Sequence, residues 1–232
     1  MAIFAVVAVV ASLMVDAREQ GRIAAQATSY ASPVVLEPTD PQPIALFIGD
    51  SQVAGFGSSR KTMRWSSQVS WQMGWREFNE GLGGTGYVKT SDEKGCGWEF
   101  CPNFGQHFEN VSDDINADIV VVGGGRGDYN YFKQSPEKIS KAMRDLYSNI
   151  AKIYPDAEII AIGPNGWSKN DANAKAMNAV VQEAVESNGG TFVSIIDPPV
   201  IKDEWLLEDN AHVNNEGHTG IANHILKSIR DS

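Results

Sequence analysis

Four short stretches of this chain hold residue types that together can break an acyl bond. The first is Gly49-Asp50-Ser51-Gln52 and the last is Asp209-Asn210-Ala211-His212. A serine hydroxyl is a poor nucleophile until a base takes its proton. Asp and His three residues apart in a turn can point the same way. The carboxylate then takes one imidazole N–H, which fixes the tautomer and leaves the other nitrogen to accept the serine proton. Between these stretches lie two glycine-rich ones, Asn79-Glu80-Gly81-Leu82-Gly83-Gly84 and Gly123-Gly124-Gly125-Arg126-Gly127-Asp128, the latter followed by Tyr129 and Asn130. Such loops can turn backbone N–H groups toward a ligand, as stabilisation of an oxyanion requires. Each stretch also has a plainer use: serine is a favoured helix cap, and a lone histidine is often structural.

Placing these residues requires a scaffold, and the hydrophobic pattern supplies one. Apolar runs at Ile44–Ile48, Asp118–Val122, Glu158–Ile162 and Phe192–Ile196 read as buried strands, with a shorter one at Trp75–Phe78. Helical patterns occupy about 63–73, 136–154, 171–187 and 216–229; Pro136 opens the second, where Ile139, Met143, Leu146, Ile150 and Ile153 fall at helical spacing. Strands alternating with helices imply an α/β fold, a parallel sheet of about five strands covered on both faces. Ligands in such folds bind beyond the carboxyl ends of the strands. Three of the four chemical stretches directly follow strands, and the fourth precedes the last helix.

In order and placement, Gly-Asp-Ser at 49–51, Asn-x-Gly-x-x-Gly at 79–84 and Asp-x-x-His at 209–212 resemble three of the four signature blocks of the SGNH/GDSL hydrolases, over about residues 44–230. The resemblance implies a flavodoxin-like three-layer α/β/α sandwich over 44–232. It also implies hydrolysis of carboxylic esters through an acyl-serine, with no metal or other cofactor. It makes Ser51 the nucleophile, His212 the base and Asp209 the residue that orients it. The N–H groups of Ser51 and Gly84 become part of the oxyanion hole, with Gly83 or Gly86 able to replace Gly84 by a shift of register.

The third block departs from the pattern. Family members carry Gly-x-Asn-Asp there, the asparagine being a third oxyanion donor, whereas this chain has Gly125-Arg126-Gly127-Asp128. Loss of one such donor costs about a hundred- to a thousandfold in turnover. Asn130 is expected to reach back and substitute, with Arg126 adding charge at the substrate site, and Gly127→Asn is expected to accelerate the enzyme. A second reading follows from the same gap: a weak or inactive domain that binds a cell-envelope glycan. The intact Ser-Asp-His set argues against it. Arg126-Gly127-Asp128 also spells an adhesion tripeptide, a coincidence of its falling in this block.

Composition narrows the remaining classes. With 29 acidic and 19 basic residues the net charge is −10, so no basic face awaits nucleic acid. A small-molecule or glycan ester is the expected partner. Residues 1–15 form an uncharged apolar run, short for a membrane span, so 1–27 reads as a signal peptide or N-terminal membrane anchor. Residues 28–43 hold four of the ten prolines and read as an extended linker. Export suits a disulfide between Cys96 and Cys101, the only two cysteines. The expected location is therefore secreted or cell-envelope. Trp167, after the fourth strand, and Trp205, before the triad loop, are candidates to line the substrate site, packing being the alternative for each. His107 in a loop and His218 and His224 on the final helix lack metal-ligand spacing and read as structural or solvated.

Overall fold

Strand β1 (Ile44–Gly49) is apolar along its length and buried from Ala45 onward, as a strand covered on both faces must be. Strand β3 (Ile119–Gly123), also buried at every position, pairs parallel with it from Ala45 opposite Ile119 to Gly49 opposite Gly123. Strand β2 (Arg76–Gly81) lies on the outer side of β1, and β4 (Glu158–Ile162) and β5 (Thr191–Val193) extend the sheet beyond β3. All pairings are parallel, in the order β2-β1-β3-β4-β5. That order reverses direction between β1 and β3, which opens a crevice at their carboxyl ends. The computed structural model describes residues 41–165 and 171–231. The expected leader, the linker up to residue 40 and Trp167 lie outside the described residues. Residues from Gln42 onward form one compact unit.

Alternation along the strands divides the core in two. Leu46, Ile48, Val120, Val122, Ile159 and Ala161 face one side. There they meet helices α4 (Phe104–Ser112), α6 (Pro136–Ile153) and α7 (Ala172–Glu186). Ala45, Phe47, Ile119, Val121, Ile160 and Ile162 face the other, against α2 (Trp65–Met73) and α8 (Asn215–Asp231). This is the flavodoxin-like three-layer sandwich. Ile139, Met143, Leu146 and Ile150 form the buried stripe of α6, while Ile153 at its end is exposed. Burial of each such side chain contributes roughly 1.5–3 kcal/mol, so the stripe rather than intrinsic propensity holds the helix down. Three short helices, α1 (Ser51–Ala54), α3 (Glu93–Cys96) and α5 (Tyr129–Gln134), lie in the connections that leave the carboxyl ends of β1, β2 and β3.

Several boundaries differ from those the sequence suggests. A single 3-10 turn, Lys61–Met63, precedes α2, which starts at Trp65. Strand β2 runs to Gly81 rather than Phe78, because its polar residues are tolerated on a half-buried edge. Strand β5 stops at Val193, three residues short. Helix α4 carries no long apolar stripe. It is started by a capping box in which Asn103 accepts from the Gln106 N–H and Gln106 returns the bond. His107 therefore sits on a helix, not in a loop. Among the described residues no helix is long and apolar enough to cross a membrane.

Candidate active site

The serine corner is built by close approach of β1 and β3. A Cβ on Gly49 would fall 2.1 Å from the Gly123 carbonyl oxygen, so only glycine lets the two strand ends meet. Asp50 then caps α1: its Oδ1 accepts the Gln52 N–H at 3.0 Å and its Oδ2 the Gly125 N–H at 2.8 Å. One buried carboxylate thus fixes both the nucleophile turn after β1 and the glycine turn after β3. Burial raises the Asp50 pKa, and those backbone bonds oppose the rise. Ser51 follows at the first position of α1, part exposed.

The Asp-x-x-His turn comes from the other end of the chain. Asp209 Oδ1 accepts the N–H of Ala211 at 2.9 Å and of His212 at 3.0 Å, an Asx turn. Asn210 takes a left-handed φ of 52°, a conformation asparagine tolerates. The turn aims both side chains at Ser51. His212 Nδ1 lies 2.6 Å from Asp209 Oδ2, and His212 Nε2 lies 2.8 Å from Ser51 Oγ. Partial burial alone would raise the Asp209 pKa, but the His212 side chain and the two N–H groups hold it at about 2. The three residues expected to act together are therefore brought together.

Two further residues support the imidazole. The Phe56 ring packs on it at 4.3 Å between centroids. The Phe56 carbonyl in turn faces His218 Nε2 at 3.1 Å, while His218 Nδ1 faces the Trp65 N–H at 3.3 Å. Since an N–H donates at Nδ1, His218 must be neutral with its own proton on Nε2. Burial lowers its pKa, in agreement. Neither support was legible in the sequence, where Phe56 is one apolar residue in a polar loop.

The glycine-rich block at 79–84 begins inside β2 rather than after it. Asn79 Nδ2 donates to the Val53 carbonyl and to Ser66 Oγ, both at 2.8 Å, tying β2 to α1 and α2. Gly84 has a φ of 76°, and a Cβ there would lie 2.5 Å from Ser91 Oγ. The loop beyond it is fastened by Asp128, which is fully buried. Its Oδ2 accepts the Tyr87 N–H at 2.5 Å, and its Oδ1 accepts those of Val88 and Lys89 at 3.2 and 3.0 Å. Burial pushes the Asp128 pKa up to about 6 in spite of these bonds.

This clamp corrects the expectation for Gly127. A Cβ there would stand 2.7 Å from the Thr85 carbonyl oxygen, so an asparagine collides with the loop backbone. Arg126 reaches from the same turn to the triad loop, its Nη2 donating to the Asn210 carbonyl at 3.1 Å. Burial lowers its pKa, while the charges of Asp50 and Asp209 oppose that. Asn130 is exposed in the first turn of α5. Trp205 packs on α8, where its ring fills the space a side chain on Gly220 would need, and Lys202 Nζ lies 4.8 Å from its ring centre. Cys96 and Cys101 form the disulfide. His107 is buried beside Glu80 at 3.4 Å, and His224 donates to the Ser194 carbonyl at 2.8 Å. Among the described residues no cluster of three or more His, Cys, Asp or Glu side chains is arranged to hold a metal.

The sheet order and the chemistry at its carboxyl edge define a three-layer α/β/α ester hydrolase. The chain belongs to the GDSL-like lipase/acylhydrolase family, whose model matches residues 47–219. No curated sequence matches it significantly. Among solved structures it is similar to the psychrotrophic esterase EstA from Pseudoalteromonas sp., with 13% identity over 82% of this chain and 98% of that one, TM-score 0.63. It is also similar to a family two carbohydrate esterase from Clostridium thermocellum, at 17% identity over 83% and 65% of the two chains, TM-score 0.65. A two-domain esterase active on acetylated mannans shares 18% identity over 82% of this chain and 49% of that one, TM-score 0.62. At such identities the likeness is one of fold.

Proposed function

We propose that this hydrolase acts outside the cytoplasm and removes acetyl or short acyl groups from glycan esters through an acyl-serine. The observation that carries the reading is the chain of contacts from Ser51 Oγ through His212 to Asp209, at 2.8 and 2.6 Å. Ser51 Oγ attacks the ester carbonyl as its proton passes to His212 Nε2. The ionised Asp209 stabilises the imidazolium that forms. The oxyanion is held by the N–H groups of Ser51 and Gly84; the former has no intrahelical acceptor because it opens α1. Collapse expels the alcohol, which takes the proton from His212. Water then attacks the acyl-serine and gives one proton to His212, which passes it to the departing Ser51 Oγ, and the carboxylic acid released loses its own proton to solvent.

Asn130 supplies the third oxyanion donor in this scheme, with the Arg126 charge nearby. A glycan alcohol is favoured by the acetylated mannans on which one similar structure is active. The extracytoplasmic location is supported by the apolar run at 1–15 and by the Cys96–Cys101 disulfide. The glycine at 127 favours a second reading, a weak or inactive domain that binds a glycan. One experiment separates them: hydrolysis of nitrophenyl acetate, butyrate and octanoate by the chain and by Ser51→Ala, with fluorophosphonate labelling. The proposal expects serine-dependent turnover, fastest on acetate, and labelling lost in the variant. No serine-dependent hydrolysis and no labelling would leave only the binding reading.

A further inference from the structure

Six large hydrophobic side chains among the described residues are exposed, and four of them leave the carboxyl ends of consecutive strands. Phe56 (57% exposed) follows β1, Trp98 and Phe100 (55% and 60%) follow β2, and Tyr131 (49%) follows β3. Trp98 and Phe100 stand on a loop built to be stiff. Ser91 and Cys101 exchange two backbone hydrogen bonds at 2.9 Å, and the Cys96–Cys101 disulfide closes the tip between them. The loop rests directly on the glycines of the second block. A Cβ on Gly83 would fall 2.2 Å from the Gly95 carbonyl oxygen, and one on Gly84 would fall 3.3 Å from Gly95 Cα. An aromatic tip is therefore mounted on the loop that carries the oxyanion donor.

Aromatic faces held exposed to solvent by a rigid backbone are suited to stacking against a flat, weakly hydrated surface at little entropic cost. The charge around them selects which surface. Asp92, Glu93 and Glu99 flank the tip, against Lys94 alone, on a chain of net charge −10. That field repels polyanions and anionic lipid, while carboxylates accept hydrogen bonds from hydroxyl groups. We infer that Trp98 and Phe100 form a stacking platform for a neutral oligosaccharide, which holds the glycan part of the ester while its acyl group sits at Ser51. The inference rests on the glycan-ester reading above and assigns it a binding site.

The test uses the full chain carrying Ser51→Ala, which binds without turnover, titrated with xylohexaose, mannopentaose and cellohexaose and, separately, with vesicles of phosphatidylcholine and phosphatidylglycerol. Binding of at least one sugar is expected, with quenching of tryptophan fluorescence. Affinity should fall about tenfold in Trp98→Ala and recover in Trp98→Tyr. In the active chain, kcat/KM on the acetylated form of the same sugar, relative to nitrophenyl acetate, should drop about tenfold in Trp98→Ala, through KM. No binding of any of the three sugars, equal affinity in Trp98→Ala, equal losses on both esters, or binding to vesicles in place of sugar would each overturn the platform. Failure of the esterase reading is distinguishable: wild type would then leave nitrophenyl acetate intact, while the sugar titration still judges the platform.

Discussion

Replacing Asp128 by asparagine isolates the clamp that holds the loop after Gly84. The carboxylate is fully buried and takes three backbone N–H groups, yet its pKa lies at about 6, against 3.8 when unfolded. The folded state therefore binds this proton more tightly than the unfolded chain. The stability Asp128 contributes is complete below pH 3.8 and is lost as pH rises through 6. At about 1.36 kcal/mol per pH unit the full loss is about 3 kcal/mol, most of which falls between pH 4 and pH 8. Asparagine has the same shape and no proton to lose, so its offset is constant with pH. The stability of wild type minus that of Asp128→Asn should thus fall by about 2 kcal/mol from pH 4 to pH 8. Urea unfolding followed by tryptophan fluorescence at each pH measures it, and the subtraction cancels the titrating groups that do not interact with Asp128. A difference that stays flat, or that grows with pH, would refute the reasoning. It would mean the three N–H groups stabilise the charge more than burial penalises it.

The remaining expectations concern the catalytic edge. Asp209→Asn should lower kcat about 10⁴-fold by releasing the His212 tautomer; a loss below tenfold in steady-state ester hydrolysis would contradict the role. Gly127→Asn should lower stability by about 1–3 kcal/mol without raising turnover, because its Cβ meets the Thr85 carbonyl at 2.7 Å. A faster and equally stable variant would show that the loop yields. Asn130→Ala should cost about a hundred- to a thousandfold in kcat if its amide is the third donor, and unchanged turnover would pass that role elsewhere.

Much of this was readable along the chain, for local reasons. Gly-Asp-Ser after an apolar run signals a strand, a turn and a helix start, and all three are present at 44–54. The apolar stripe of 136–153 and the β-branched run at 119–122 gave elements correct to within a residue or two. Where the pattern was mixed, the reading faltered. Arg76–Gly81 is a strand only because β1 pairs with it, and Phe104–Ser112 is a helix of nine residues whose apolar face is only Phe104, Phe108 and Val111, too short a run to stand out among its polar neighbours. Phe56 is an apolar residue in a loop until the fold lays it on His212.

By itself the sequence determined which residues could act. Ser51 stands after a strand, and Asp209 and His212 share one turn whose Asx bonding is set within four residues. Only the tertiary structure decided that they meet. Ser51 and His212 are 161 residues apart, and the 2.8 Å between them is set by how α8 and its preceding loop pack on the sheet. It also decided that Gly127 has no room for a side chain and that Asp128 is a buried clamp. Turn chemistry and periodicity depend on neighbours in the chain, whereas close approach and burial depend on neighbours that only packing supplies.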